Sequence, residues 1–200
     1  MKLVAGLGNP GGQYRGTRHN VGFEVVDAVV RRHGVAWNVG AGSADAALAK
    51  WRRGPDDVVL FAKPLTFMNL SGEAVGGLLR YCKIAVTDLL VVCDDVNLPL
   101  GRLRARSGGS EGGHNGLRSI NEHLGTTDYA RLRIGVGRGD VRRDLADHVL
   151  ARFEPDEQPG IEDAITRAVG AVEMWIDDGP ERMMNAFNRS VEPAVDDDRT

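Results

Sequence analysis

A run of five apolar residues, Leu89–Cys93, constrains the fold more than any other feature of this chain. Apolar residues without polar alternation are typical of a central strand that is covered on both faces. Further strands are predicted at Lys2–Leu7, Ala46–Trp51, Val58–Lys63, Arg102–Arg106 and Leu132–Gly137. Helical patterns separate these strands, so we expect helices to pack on both faces of one sheet.

Four segments have the 3.6-residue apolar period of an amphipathic helix. They are Val21–His33, Gly72–Cys82, Leu117–His123 and Ile161–Ile176. Asn20 is a suitable N-cap for the first helix, and Gly34 is a suitable terminator. The pattern predicts a single-domain, three-layer α/β/α sandwich around a mixed, mostly parallel sheet, at residues 1–190. Residues 191–200 are expected to form an acidic, disordered tail.

The length of 200 residues suits one domain with a sizeable core. No stretch approaches the roughly 18 apolar residues of a membrane span, and the start of the chain has no signal-peptide pattern. Cys82 and Cys93 form no CxxC pair, and we expect them to be buried, reduced thiols. These features predict a cytoplasmic protein that does not associate with membranes.

The formal net charge of −3 hides a local excess of arginine. Nine arginines lie between Gly101 and Arg143, against four acidic residues. The local field matters more than the total charge for binding a polyanion. These arginines are either a binding surface or an ordinary solvated face, and as a group they only suggest the former.

The first glycine-rich loop, Gly6–Gly11, matches the GxGxxG pattern of dinucleotide sites. In a dinucleotide site the helix opens within the motif, whereas here the first helix is predicted about ten residues later. A Rossmann-type oxidoreductase is therefore disfavoured, and no cofactor is predicted. The glycines more plausibly shape a loop that carries Asn9 and Tyr14 to the end of the sheet.

The second glycine-rich loop, Gly108–Gly116, precedes the third predicted helix. Free backbone N–H groups at a helix N-terminus favour anions, although a merely flexible loop is the alternative. The loop lacks the Gly-Lys-Ser/Thr of a P-loop, which argues against nucleoside triphosphate hydrolysis.

His19 and Asp94 are the best candidates for acid–base chemistry. A histidine before a helix N-terminus tends to stay neutral and able to accept a proton, although His19 could equally be a satisfied surface residue. Asp94 and Asp95 follow the buried strand, where one carboxylate could orient a histidine. The alternative is that this pair simply opens a turn.

No serine or cysteine lies in the sequence context of a catalytic nucleophile, and the ligand spacing of a metal site is missing. No metal is therefore predicted, and a hydrolase built from these residues would use histidine to activate water. Three loop asparagines, Asn9, Asn69 and Asn115, could donate to a developing oxyanion. Turns favour asparagine, so these residues alone are weak signals.

Five blocks of sequence occur in a characteristic order. They are Gly6–Gly11 with Tyr14 and Thr17–Asn20, Lys63–Gly72, Asp94–Gly101, Gly112–Leu117 and Tyr129–Gly135. Together they resemble the bacterial-type peptidyl-tRNA hydrolases, and the resemblance extends from about Met1 to Asn188. Each block alone is weak, but the ordered set is highly specific.

The resemblance implies a monomeric enzyme, without metal or cofactor, that cleaves the ester between a peptide and the 3′ end of tRNA. It implies a catalytic set in which His19 is the base, Asp94 orients it, and Asn9 distinguishes peptidyl from free aminoacyl ends. Asn69 and Asn115 would hold the terminal region of the substrate and the reacting carbonyl or water. The implied groove-lining residues are Tyr14, Phe67, Met68 and His114. The residues implied to contact tRNA phosphates are Arg104, Arg106 and Arg133.

The chain departs from the family pattern at a few positions. Cys93 stands where histidine is common, Asn97 where aspartate is usual, and Glu111 where histidine is common. None of these departures affects His19, Asp94 or the three asparagines. A non-catalytic RNA-binding relative that acts in RNA processing is the alternative function.

Overall fold

The computed structural model describes residues 1–39, 45–139 and 144–188. Within these ranges, seven strands form one sheet in the order β2-β3-β4-β1-β5-β7-β6. The strands are β1 (Lys2–Gly6), β2 (Trp37–Val39), β3 (Ala46–Arg52), β4 (Val58–Pro64), β5 (Leu89–Asp95), β6 (Leu103–Arg106) and β7 (Ala130–Gly135). The predicted acidic tail and the end of the predicted domain lie outside the described residues.

The centre of the sheet is parallel and its two flanks are antiparallel. Strands β4, β1, β5 and β7 pair in parallel, whereas β2, β3 and β6 join the sheet through antiparallel pairs. All seven residues of β5 are buried, as the uninterrupted apolar run predicted. The mixed sheet is confirmed.

Six α-helices accompany the sheet in the part of the chain that the structure describes. They are α1 (Val21–Arg32), α2 (Ser71–Cys82), α3 (Asn115–Leu124), α4 (Leu145–Leu150), α5 (Gln158–Asp178) and α6 (Pro180–Phe187). The apolar faces of α1 and α5 pack with Val4 and Val92 on one side of the sheet. Those of α2 and α3 pack with Leu3 and Val91 on the other side. The three-layer α/β/α architecture is therefore confirmed.

Strand β2 and helices α4 and α6 were not predicted from the sequence. Three residues are too few to show strand alternation in β2. Helices α4 and α6 have only six and eight residues, which is too few for a repeated 3.6-residue apolar period. Met183 is the one buried residue of α6, although Met184 and Phe187 also pack against the core. No helix in the described part of the chain is both long and apolar enough to span a bilayer.

Candidate active site

The carboxyl ends of β1 and β5 meet the amino end of α1 at one edge of the sheet. A Cβ on Gly22 would lie 2.4 Å from the Val92 carbonyl oxygen and 2.6 Å from the Leu7 amide nitrogen. Only glycine therefore lets α1 begin so close to the sheet backbone. This close approach brings the 3-10 turn Arg18–Asn20, which precedes α1, next to the end of β5.

His19 and Asp94 form a buried hydrogen-bonded pair at this edge. His19 Nδ1 lies 2.8 Å from Asp94 Oδ1, and the two residues are 9% and 2% exposed. An ionised carboxylate only accepts, so Nδ1 carries the proton and Nε2 keeps its lone pair. Among the described residues, Nε2 of His19 has no hydrogen-bond partner. The geometry therefore presents a basic nitrogen to the adjacent cleft.

His114 also binds the same oxygen of Asp94. Its Nε2 lies 2.9 Å from Asp94 Oδ1, and its Nδ1 accepts the backbone N–H groups of Gly116 and Leu117 at 3.1 and 3.3 Å. Because two donors point at Nδ1, the proton must be on Nε2. His114 thus caps α3 and donates to the carboxylate at the same time.

The electrostatics of Asp94 favour its ionised form. Burial alone would raise the pKa of this carboxyl group, but the electrostatic interactions and hydrogen bonds that it makes with His114 and His19 hold its pKa well below the ordinary value. Asp94 is therefore a fixed negative charge that both imidazoles share.

His19, Asp94 and His114 offer nitrogen and oxygen atoms that lie within 4.8 Å of one another. Such a group could in principle hold a metal ion. However, ligation through Nε2 of His114 would move its proton to Nδ1, where the N–H groups of α3 already point. The donor arrangement therefore fits a hydrogen-bonded cluster better than a metal site.

Asn9 is held in place through its backbone and through one side-chain atom. Asn20 accepts the Asn9 N–H at 2.8 Å and donates to the Asn9 carbonyl at 3.0 Å. Asn9 Oδ1 accepts the Met68 N–H at 2.8 Å. Nδ2, a hydrogen-bond donor, is therefore the group that Asn9 can offer to a ligand. Asn20 is the N-cap residue of α1, as predicted, but its side chain makes these contacts to Asn9 and no capping hydrogen bond to α1.

Two adjoining recesses open over the histidine pair. One, of about 340 Å³, is lined by His19, Asp94, His114 and Asn115 together with α4. The other, of about 360 Å³, is lined by Asn9, His19, Phe67, Met68, Asn69, Asn115 and α4. Because His19, Asn115 and α4 border both recesses, they form one cleft. Tyr14 lines neither recess.

The three predicted arginines differ in environment. Arg104 and Arg106 are exposed on β6, whereas the Arg133 side chain is only 12% exposed. The Arg133 guanidinium donates to Asp95 Oδ2 at 3.1 Å and to the Ser110 carbonyl at 2.7 Å. Arg133 therefore already supports the glycine-rich loop, although it borders a recess with Arg104 and Arg106.

Comparison with known proteins gives a consistent result. The sequence model of the family described as peptidyl-tRNA hydrolase matches residues 3–194. The chain is 45% identical over 188 residues to a peptidyl-tRNA hydrolase of Halalkalibacterium halodurans, covering 94% of this chain and 100% of the relative. It is 46% identical over 189 residues to one of Anaeromyxobacter sp. (strain K), covering 94% and 97%. The chain belongs to the peptidyl-tRNA hydrolase family. It is a hydrolase.

Solved structures of the family share this fold. The crystal structure of peptidyl-tRNA hydrolase from Acinetobacter baumannii superimposes with a TM-score of 0.86 at 31% identity, covering 94% of each chain. The complex of a peptidyl-tRNA hydrolase with N-propanol gives a TM-score of 0.88, also at 31% identity, covering 97% of each chain.

The sequence did not indicate several residues that shape this peptidyl-tRNA hydrolase cleft. Leu145, Ala146 and Val149 of α4 form one wall, but α4 has only six residues and none of them is buried. Asn20 was recognised only as a helix cap. The link from His114 to Asp94 was also missed, because a glycine-rich loop has no period that predicts where its side chains point.

Proposed function

We propose that this chain hydrolyses the ester bond between a peptide and the 3′ end of a tRNA, which releases free tRNA for reuse in translation. The observation that carries the proposal is the buried hydrogen bond from His19 Nδ1 to Asp94 Oδ1. It leaves Nε2 as a base beside a cleft lined by side-chain amides.

In the proposed reaction, His19 Nε2 removes a proton from a water molecule. The resulting hydroxide attacks the ester carbonyl carbon, and the carbonyl π electrons move to oxygen. The imidazolium then returns the proton to the 3′ oxygen of the ribose as the carbon–oxygen bond breaks. The products are a peptide carboxylic acid and a tRNA 3′ hydroxyl. Asp94 stabilises the imidazolium between these two proton transfers.

Side-chain amides support the charge that develops in this reaction. Asn115 lines both recesses beside His19 and can donate to the oxyanion, whereas exposed Asn69 borders only the recess of about 360 Å³. A positioned base contributes about 10²–10⁴-fold in rate. One oxyanion donor contributes about 10²–10³-fold. Together these contributions suffice for an ester, which is more readily hydrolysed than an amide.

Asn9 provides a physical basis for selecting N-blocked substrates. Its Oδ1 is occupied by the Met68 N–H, which leaves Nδ2 as the available group. An N–H donor can bind the carbonyl oxygen of the first peptide group, but it repels the ammonium group of a free aminoacyl ester. The proposal therefore includes discrimination against unblocked aminoacyl-tRNA.

The proposal also covers the contacts with RNA, the cellular location and the oligomeric state. Arg104 and Arg106 bind backbone phosphates of the tRNA, since guanidinium groups suit phosphate geometry. Arg133 borders the same recess and contributes positive charge there. The protein acts in the cytoplasm as a monomer and requires no metal or cofactor.

A hydrolysis assay with N-acetylaminoacyl-tRNA tests the proposal, with the matching unblocked aminoacyl-tRNA as control. We expect release of free tRNA from the blocked substrate and much slower release from the unblocked one. Binding of the substrate without turnover would instead favour the non-catalytic RNA-binding alternative. Equal turnover of both substrates would overturn the role of Asn9.

A further inference from the structure

Strand β6 is an edge of the sheet that carries two available positive charges. Leu103 and Ala105 are buried, whereas Arg104 and Arg106 are exposed between and beyond them. Within the described ranges, neither of these two guanidinium groups forms an ion pair. The edge therefore presents a small positive surface, which we call the β6 arginine pair (Arg104 and Arg106).

Two recesses meet at the β6 arginine pair. One recess, of about 420 Å³, adjoins the active-site cleft and contains Asp95, Ser110 and Arg133. The other, of about 410 Å³, contains Leu98, Leu103 and Asn188. The same two guanidinium groups are therefore accessible from the cleft and from the place where α6 ends.

The chain after α6 is anchored directly to β6. Asn188 Oδ1 accepts the Ala105 N–H at 2.7 Å, and Asn188 Nδ2 donates to the Ala105 carbonyl at 3.0 Å. The Asn188 carbonyl accepts a bond of 2.6 Å from Arg102. Asn188 is therefore fixed beside Ala105, the residue that lies between the two members of the β6 arginine pair.

The sequence after Asn188 is acidic. Residues 189–200 contain four carboxylate side chains, Glu192 and Asp196–Asp198, and two arginines. Asp196 is eight positions beyond Asn188, so up to about 26 Å of extended chain separates them. That span exceeds the length of the four-residue strand β6, so these carboxylates can reach both arginines.

We propose that the carboxylates of Glu192–Asp198 bind the β6 arginine pair and compete there with RNA phosphates. The inference rests on the proposed function, because the competing ligand is the tRNA. Attachment at Asn188 gives the acidic segment a high effective concentration at the arginine pair. Exposed ion pairs are weak, so an RNA with several phosphates displaces the segment, whereas a ligand with few charges does not.

Neutralising the acidic segment tests this inference. In the variant D196N/D197N/D198N, we expect KM for peptidyl-tRNA at low ionic strength to fall about fivefold, the order expected for a few exposed ion pairs, with kcat unchanged. A variant truncated after Asn188 should show the same fall in KM. At 1 M salt, where the Debye length is about 3 Å, the difference should disappear. An unchanged KM at low salt in both variants would overturn the proposal.

A control variant and a second mutant background separate the effect of the acidic segment at the β6 arginine pair from the effect of net charge. The variant D56N/E162Q/D178N removes three exposed carboxylates elsewhere, and its KM should stay within about twofold of the original. In an R104Q/R106Q background, neutralising the acidic segment should leave KM unchanged. A persistent fivefold effect in that background would show that the segment acts elsewhere and would reject the assigned surface.

The substrate choice separates this inference from the proposed function. An N-acetylaminoacyl ester of adenosine has no phosphate, so its hydrolysis should not respond to the acidic segment. If no ester is cleaved at all, the proposed function fails. Fluorescence anisotropy with tRNA that carries no amino acid then still tests the competition. A roughly fivefold lower Kd in D196N/D197N/D198N would support it, and an unchanged Kd would reject it.

Discussion

The proposed catalytic cluster (His19, Asp94 and His114) and the β6 edge have opposite physical requirements. His19, Asp94 and His114 are held by hydrogen bonds of 2.8–2.9 Å to one oxygen, in a largely buried position. Arg104 and Arg106 are exposed, and no hydrogen bond fixes either guanidinium within the described residues. Proton transfer needs a preset geometry, whereas attraction of a polyanion needs only charge of the right sign. Substitutions in the two regions should therefore differ in kind.

The largest effect is expected from His19→Ala. Because this variant loses the base, kcat for peptidyl-tRNA should fall about a thousandfold or more. Its Kd for tRNA should change less than threefold, since the arginines remain. Single-turnover kinetics and fluorescence anisotropy measure the two quantities. Turnover near that of the original protein would eliminate the proposed base.

Asp94→Asn should lower kcat by about 10²–10⁴-fold, since an amide no longer stabilises the imidazolium. Asn97→Asp, which adds a charge nearby, is a useful control and should retain activity within about tenfold. Presteady-state rates in both variants provide the comparison. A loss in Asp94→Asn confined to KM would show that Asp94 acts in binding and not in catalysis.

Asn20→Ala should have a smaller effect, about tenfold. Asn20 makes two hydrogen bonds to the backbone of Asn9, so its loss should loosen Asn9 without removing it. The expected signature is a lower ratio of kcat/KM for N-acetylaminoacyl-tRNA over aminoacyl-tRNA. If both substrates slow equally, Asn20 supports the fold and not the discrimination.

Arg104→Ala with Arg106→Ala should mainly change the salt dependence. Each lost phosphate contact should lower the slope of log Kd against log salt by roughly 0.7–0.9, with Kd weakened about tenfold at low salt. The matched control is Arg31→Ala with Arg52→Ala, which removes two exposed arginines far from the cleft. Equal slopes in the two double variants would remove the β6 edge from the RNA surface.

The smallest expected effect is on acid stability. The pKa of Asp94 is lowered in the folded protein, so its stabilising contribution is complete above the unfolded-state pKa of about 4. That contribution is lost as the pH falls toward the lower folded-state pKa. Urea unfolding between pH 5 and 3 should show a steeper loss of stability in the original protein than in Asp94→Asn. Parallel curves would contradict this assignment.

The sequence predicted the layers of the fold well, because they depend on periodicity. The apolar spacing of strand β5 and of helix α1 marks both elements in the sequence. The alternation of strands and helices along the chain predicts the parallel centre of the sheet. The strand order does not follow from periodicity. Nor do the short elements, because α4 has no buried residue to mark it.

The sequence predicted most residues of the candidate site but not the hydrogen bonds between them. Blocks of sequence that resemble a known family pointed to His19, Asp94 and the asparagines. No pattern could show that His114 shares Oδ1 of Asp94 with His19, or that Arg133 is already engaged by Asp95 and Ser110. Such contacts depend on loop conformation, which side-chain spacing does not encode.

The pairing of Asn188 with Ala105 has a consequence for solubility. An open strand edge is a template on which another chain can add a strand, and this is a common start of aggregation. The amide of Asn188 occupies both the N–H and the carbonyl of Ala105, the midsection of a four-residue edge. The side chain of Asn188 therefore occupies the hydrogen-bonding groups that a strand from a second molecule would need in order to pair with this edge.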